Sequence, residues 1–171
     1  MAKMSQESLK HNLSNPAKTY LWEVLFSNPI GGGDAETLML RCQSTAMPGR
    51  SVGEILVPYK QGPGIKFPGK LTMSHTWTCT FIEGTDRRVF KALHAWQESI
   101  VSAKTNVGGP DIFVKADIYL RLLDMRGRTF QKIRFVGAYV ENVDDIPLAY
   151  DDESSIKYDV TFSYDHWEDV S

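Results

Sequence analysis

The chain holds only two cysteines, Cys42 and Cys79, among 171 residues. There is no CxxC pair and no zinc-type spacing, which excludes a disulfide scaffold and a zinc knuckle. Each cysteine falls in an expected strand between apolar neighbours and reads as a buried free thiol. A disulfide stays open only if the two strands pair. Histidine is scarce: His11, His75, His94 and His166 have no partner at metal-binding spacing. His75 lies on an apolar strand face, where a hydrogen-bonded core or interface histidine is expected rather than a ligand. A surplus of one charge is also missing. The net charge of −2 gives no whole-chain signature of nucleic-acid binding, and the weak self-repulsion permits association with further copies. No apolar run approaches the roughly 20 residues that cross a bilayer, so no membrane insertion is expected. Residues 1–20 are polar and lack the apolar stretch of a secretory signal, so a soluble protein made in a cytoplasm is expected.

No activated nucleophile, paired acid or ligand set emerges from the pattern. No catalytic, cofactor-binding or metal-binding residues are therefore expected, and the chain does not read as an enzyme. The acids Asp144-Asp145 and Asp151-Asp152-Glu153 fit no EF-hand spacing and read as a solvated loop or one facing a basic partner. Gly31-Gly32-Gly33 has no P-loop lysine and no expected helix after it. Arg126-Gly127-Arg128, with Arg121, Lys132 and Arg134 nearby, makes a basic hairpin without the interleaved aromatics of a nucleic-acid platform.

What the chain does have is alternation. In Ser155–Asp169, the residues Ile156, Tyr158, Val160, Phe162 and Tyr164 point one way and polar residues the other, the pattern of a half-buried strand. Further strands are expected over Thr19–Ser27, Glu36–Ser44, Leu71–Ile82, Ile112–Leu123 and Phe130–Val143. The last carries apolar residues at both parities and reads as covered on both sides. In Leu71–Ile82, five hydroxyl residues, Thr72, Ser74, Thr76, Thr78 and Thr80, share one face without a charge, although a free face normally carries Lys or Glu to block association. One helix is expected, Thr85–Lys104, with Thr85 as N-cap and a stripe of Val89, Leu93, Trp96 and Ile100. Ala46–Lys70 holds four prolines and five glycines and reads as an extended excursion or hairpin. Residues 1–18 read as an N-terminal arm. The expectation is one domain over residues 1–171, mainly β, an antiparallel β-sandwich or barrel-like sheet with one packed α-helix at about 85–104.

The order of these parts resembles the tail tube proteins of contractile-tailed bacteriophages. The residues that carry the resemblance are KTYLWEVLF in the first strand, Cys42–Ser51 (CQSTAMPGRS), Ile65–Gly84, the helix RRVFKALHAWQESI, Phe135–Asp151 and the closing VTFSYDHW (Val160–Trp167). The resemblance implies a tail-tube fold and a structural subunit. Its partners would be itself, in homohexameric rings stacked into a tube, then the tail sheath protein, the baseplate, and tail terminator and tape-measure proteins. DNA would pass transiently through the lumen, in a virion tail assembled in the host cytoplasm. An alternative is the tube of a pyocin-like, extracellular injection or type VI secretion machine that conducts effector proteins. Under the resemblance, Met47, Pro48, Arg50, Ile55, Val57 and Tyr59 would make inter-ring contacts. Thr72, Ser74, Thr76, Thr78 and Thr80 would form either the lumen wall or an inter-subunit sheet face. Arg126 and Arg128 would lie outside the lumen, at a ring junction or toward the sheath.

Overall fold

The computed structural model describes residues 16–27, 32–60 and 62–171, with positions 6, 7, 10 and 13. Most of the expected arm, residues 1–18, lies outside the described residues. The elements are β1 (Trp22–Phe26), α1 (Gly32–Arg41), β2 (Cys42–Thr45), β3 (Arg50–Tyr59), β4 (Gly62–Met73), β5 (Thr76–Ile82), α2 (Arg88–Ile100), the single turn α3 (Asp111–Val114), β6 (Ala116–Leu123), β7 (Thr129–Val143), β8 (Lys157–Ser163) and β9 (His166–Asp169). All strand pairs are antiparallel, and the expected mainly β architecture is borne out.

Strand β7 organises the sandwich. Its first half pairs with β6 and β9, and β6 pairs with β1. Its second half pairs with β8, followed by β5 and β2. The switch between the two sheets occurs at Gly137, which has φ +65° and sits where the β6 register shifts. A Cβ there would collide with the Asp165 carboxylate, so glycine is required both by the backbone and by the neighbour. The bulge also reverses the inward parity: Ile133 and Phe135 are buried before it, Ala138 and Val140 after it. The two apolar parities in the sequence are thus one buried face read through a phase shift. Phe130 is exposed and Val136 half-buried, so the strand is not covered on both sides.

Between the sheets lies an aromatic core. Phe162 meets Phe26 at 5.7 Å, Trp77 at 5.8 Å and Trp96 at 5.9 Å between ring centroids. Trp77 stacks on Phe135 at 4.5 Å. Helix α2 buries Val89, Ala92, Leu93 and Trp96 against this core, the expected stripe, and the Trp96 Nε1–H donates to the Val114 carbonyl at 2.7 Å. The helix starts and stops inside the expected bounds. Thr85 does not cap it; Arg87 occupies the N-cap in a left-handed conformation without a side-chain cap. The Glu83 carboxylate instead reaches over from the end of β5 and accepts the Phe90 N–H at 2.7 Å. A carboxylate satisfies a free helix donor and the helix dipole together.

Four strand expectations are corrected. Glu36–Ser44 is mostly the helix α1, not a strand: Ala35, Leu38 and Met39 turn inward at helical spacing while Leu40 is exposed. A helix therefore begins within the glycine run, at Gly32, where none was expected. Leu71–Ile82 breaks at Ser74–His75, and Ser155–Asp169 breaks at Tyr164–Asp165. The two breaks hold each other: the Tyr164 N–H donates to the His75 carbonyl at 2.9 Å, the His75 Nδ1–H donates to the Asp165 carbonyl at 3.0 Å, and the Tyr164 hydroxyl donates to the Ser74 carbonyl. His75 is hydrogen-bonded as expected but exposed. Ile112–Leu123 opens with the α3 turn before the strand begins.

Helix α1 is tied to the β5–α2 connection by Arg41, which pairs with Asp86 at 2.7 Å and with Glu83 at 3.1 Å. Hydrogen bonds from the Arg41 guanidinium hold the Asp86 carboxyl down to about 2, below its ordinary 3.8. A depressed folded-state value stabilises above the unfolded value and is lost as pH falls through the folded one. The urea midpoint is therefore expected to drop between pH 4 and 2, and Arg41→Met is expected to flatten that limb. Equal slopes for the two proteins would show that the pair contributes nothing.

Candidate functional site

Among the described residues no group of three or more His, Cys, Asp or Glu is placed to hold a metal. Both cysteines are free; Cys42 is half-buried and Cys79 buried, where burial pushes its thiol well above the ordinary range. No described helix is long and apolar enough to cross a membrane. The distinctive features are three surfaces.

The first is the β3–β4 hairpin, which resolves the Ala46–Lys70 excursion. All ten residues of β3 are exposed, and β4 is exposed at all but two positions. Ile55 pairs with Phe67 and Val57 with Ile65, so these four side chains share one face, each about half exposed. The other face carries Leu56 and Lys66 with Glu54, and Lys66 bonds Glu54 at 2.7 Å. The hairpin is amphipathic, yet only its base meets the sandwich, where Arg50 lies 3.9 Å over the Trp167 ring. The backbones of Gly53 and Gly69 approach so closely that a Cβ on Gly69 would lie 2.9 Å from the Gly53 carbonyl. A two-stranded ribbon of this length is marginal by itself in water. Of the sequence-expected contact residues, Ile55 and Val57 lie on its apolar face. Tyr59 is exposed at the tip, and Arg50 sits at the base. Met47 and Pro48 precede β3, and Met47 lines a cleft of about 300 Å³ with Trp22, Leu120 and Phe130.

The second surface is the outer face of the β5–β8–β7 sheet. Thr76 pairs with Ser163, which pairs with Tyr139; Thr78 pairs with Thr161, which pairs with Asn142; Thr80 pairs with Asp159. Paired residues share a face, so the hydroxyl row expected on one strand spreads across three. Lys157, opposite Ile82 at the rim, is the one cation in this register. The opposite face of the same pairs, Trp77 with Phe162 and Cys79 with Val160, is core. Thr72 and Ser74 are not part of the field: Thr72 belongs to the hairpin stem opposite Ser51, and Ser74 to the break. The polar face of β8 was legible, but its adjacency to the β5 row has no signal in the sequence, because pairing between strands so far apart in the chain is set by topology.

The third surface is the outer face of the β1–β6–β7–β9 sheet, where the grouping of arginines as one basic hairpin is corrected. Arg121 pairs with Glu23 at 2.6 Å, and Arg134 with Asp117 at 2.6 Å and Glu168 at 3.0 Å. Lys132 lies 4.3 Å over the Tyr119 ring. Cross-strand acids, invisible to local reading, neutralise most of the cations. The turn itself has the expected tight geometry, with Gly127 at φ +75°. The Asp124 carboxylate accepts the N–H groups of Arg126 and Arg128 at 2.8 and 2.9 Å and lies below the usual carboxylate range, chiefly through the Arg128 N–H.

The described residues thus define an antiparallel β-sandwich that carries an exposed amphipathic ribbon and a neutral hydroxyl face. The sequence family "Phage tail tube protein" matches residues 16–169, and the chain belongs to that family. Among solved structures, its fold is similar to a chain of an extracellular contractile injection system, the PVC sheath-tube complex in the extended state. That match has a TM-score of 0.65 and 16% identity, and covers 98% of each chain. It is also similar to a chain of the PVC sheath/tube terminator, at a TM-score of 0.66, 16% identity, and coverage of 91% and 97%. A third similar chain comes from the anti-feeding prophage tube terminating cap, at 0.63, 16% and 90% of each chain. No curated protein sequence matches the chain at a significant level.

Proposed function

We propose that this tail tube protein assembles into six-membered rings that stack into a hollow tube, enclosed by a contractile sheath, and that DNA passes through the bore during infection. The observation that carries this reading is the neutral face spanning β5, β8 and β7. A wall of clustered Lys or Arg would retain a polyanion through its phosphates, whereas hydroxyl, amide and carboxylate groups offer it no purchase. Thr76, Thr78 and Thr80, with Thr161 and Ser163, form the bore lining. The hairpin reaches a neighbouring copy and buries its Ile55–Phe67 face there, with Met47 and Pro48 at the same junction. Arg126 and Arg128 lie away from the bore. The tube is a component of a virion tail, assembled in the host cytoplasm, and meets the sheath along its outside and baseplate and terminator proteins at its ends.

Negative-stain electron microscopy of the purified protein across a concentration series is expected to give hollow tubes or six-fold rings. A monomer that persists at high concentration, even with preformed baseplates added, would overturn the proposal.

A further inference from the structure

The two ends of β7 carry surfaces of opposite character that the tube reading alone does not pair. Beyond its C-terminal end lies the loop 144–156, DDIPLAYDDESSI, with five carboxylates and no Lys or Arg. Leu148 and Tyr150 project from it almost wholly into solvent. None of the five carboxylates is in an ion pair among the described residues. Beyond its N-terminal end lies an apolar groove of two adjoining clefts, about 200 and 300 Å³, that share Lys18 and Phe130. Trp22 and Met47 line one cleft and Met125 the other. The charged residues that line this groove are Lys18 and Asp124, and Arg126 and Arg128 follow Asp124 in the same turn. Arg128 is exposed although paired with Asp124 at 2.8 Å, and Lys18 and Arg126 have no ion-pair partner among the described residues.

We infer that the 144–156 loop of one copy docks into this groove of a second copy, placing Leu148 and Tyr150 against Trp22, Met47 and Phe130, and the loop acids against Lys18, Arg126 and Arg128. Charge sign and apolar content match on the two sides, which selects a second copy as occupant over an unrelated partner. The two surfaces lie at opposite ends of a fifteen-residue strand, so they cannot meet within one copy. Such a contact is heterologous: each copy offers one groove and one loop, and repetition either closes a ring or extends the assembly without limit. The open form is the geometry of stacking, with the loop of one ring entering the groove of the next. The inference rests on the tube reading and adds the residues that join successive rings.

The test uses the full chain. Arg126→Glu with Arg128→Glu, and separately Asp151→Arg with Asp152→Arg, are each expected to raise the concentration needed for tubes about a hundredfold, because like charges then face each other. The quadruple variant is expected to recover most of the wild-type behaviour. Leu148→Ser with Tyr150→Ser, which leaves every charge in place, is expected to weaken stacking in the same direction. Circular dichroism and the urea midpoint report whether each variant is folded. Wild-type protein that forms no tube removes the underlying reading. Wild-type tubes with loop variants that stack normally would overturn only the inference. Failure of the quadruple variant to recover, with both pairs individually impaired, would also overturn it, since the two surfaces would then have separate partners. If deletion of residues 1–15 abolishes tubes while loop variants stack normally, the groove belongs to the chain's own N-terminal segment and the inference is wrong.

Discussion

Phe162→Ala is expected to destabilise the fold by about 3–5 kcal/mol, the range for removing a buried aromatic ring. Phe162 is fully buried in β8. Its ring meets Phe26 from β1, Trp77 and Phe81 from β5, and Trp96 from α2. Truncation removes shared contacts from both sheets and the helix at once, and close-packed neighbours collapse only partly into the space. Most domains have a total stability of about 5–15 kcal/mol, so the variant is expected to populate unfolded chains at physiological temperature. Urea unfolding followed by tryptophan fluorescence measures the change. A loss under about 1 kcal/mol would mean that the two sheets and α2 do not share one core. Phe130→Ala on the same fold is the contrast: Phe130 is half exposed, and its loss is expected to leave the urea midpoint nearly unchanged.

Ile55→Asp combined with Phe67→Asp is expected to have the opposite profile, a folded protein that no longer forms tubes. The paired side chains form the centre of the exposed apolar face of the hairpin. Burying the four half-exposed residues of that face against a neighbour is worth on the order of 3–6 kcal/mol per copy. Two carboxylates placed there reverse the sign, since a buried unpaired charge costs several kcal/mol. The hairpin packs on little besides itself, so the urea midpoint is expected to stay within about 0.5 kcal/mol of wild type. Sedimentation velocity separates the outcomes. Species no larger than a single ring are expected for the variant, and wild-type assembly by the variant would show that the hairpin is not an assembly element.

Several elements were legible in the sequence for plain physical reasons. The stripe of α2 and the alternation of Val160 and Phe162 are local periodicities, and the structure reproduces both. The proline- and glycine-rich excursion was legible as a departure from the core, and its hairpin form follows from the same residues. What failed locally was decided by distant partners. Leu38, Leu40 and Cys42 alternate as a strand would, yet Leu38 is buried and Leu40 exposed because α1 packs its helical face on the core. The cap of α2 comes from Glu83, outside the window in which a cap is normally sought. The breaks at Ser74–His75 and Tyr164–Asp165 are fixed by one another across the fold. The hydroxyl row was visible on β5, but its continuation over Thr161 and Ser163 needed the pairing of β5 with β8. The arginines looked like one basic patch because Glu23, Asp117 and Glu168 arrive from other strands.

A cryo-electron microscopy reconstruction of the assembled polymer tests the central claim most directly. The expected result is a six-fold hollow tube with Thr76, Thr78, Thr80 and Thr161 facing the bore, and Arg121 and Lys132 on the other side of the wall. A filament without a bore, or a bore lined by the Arg121–Lys132 face, would contradict it.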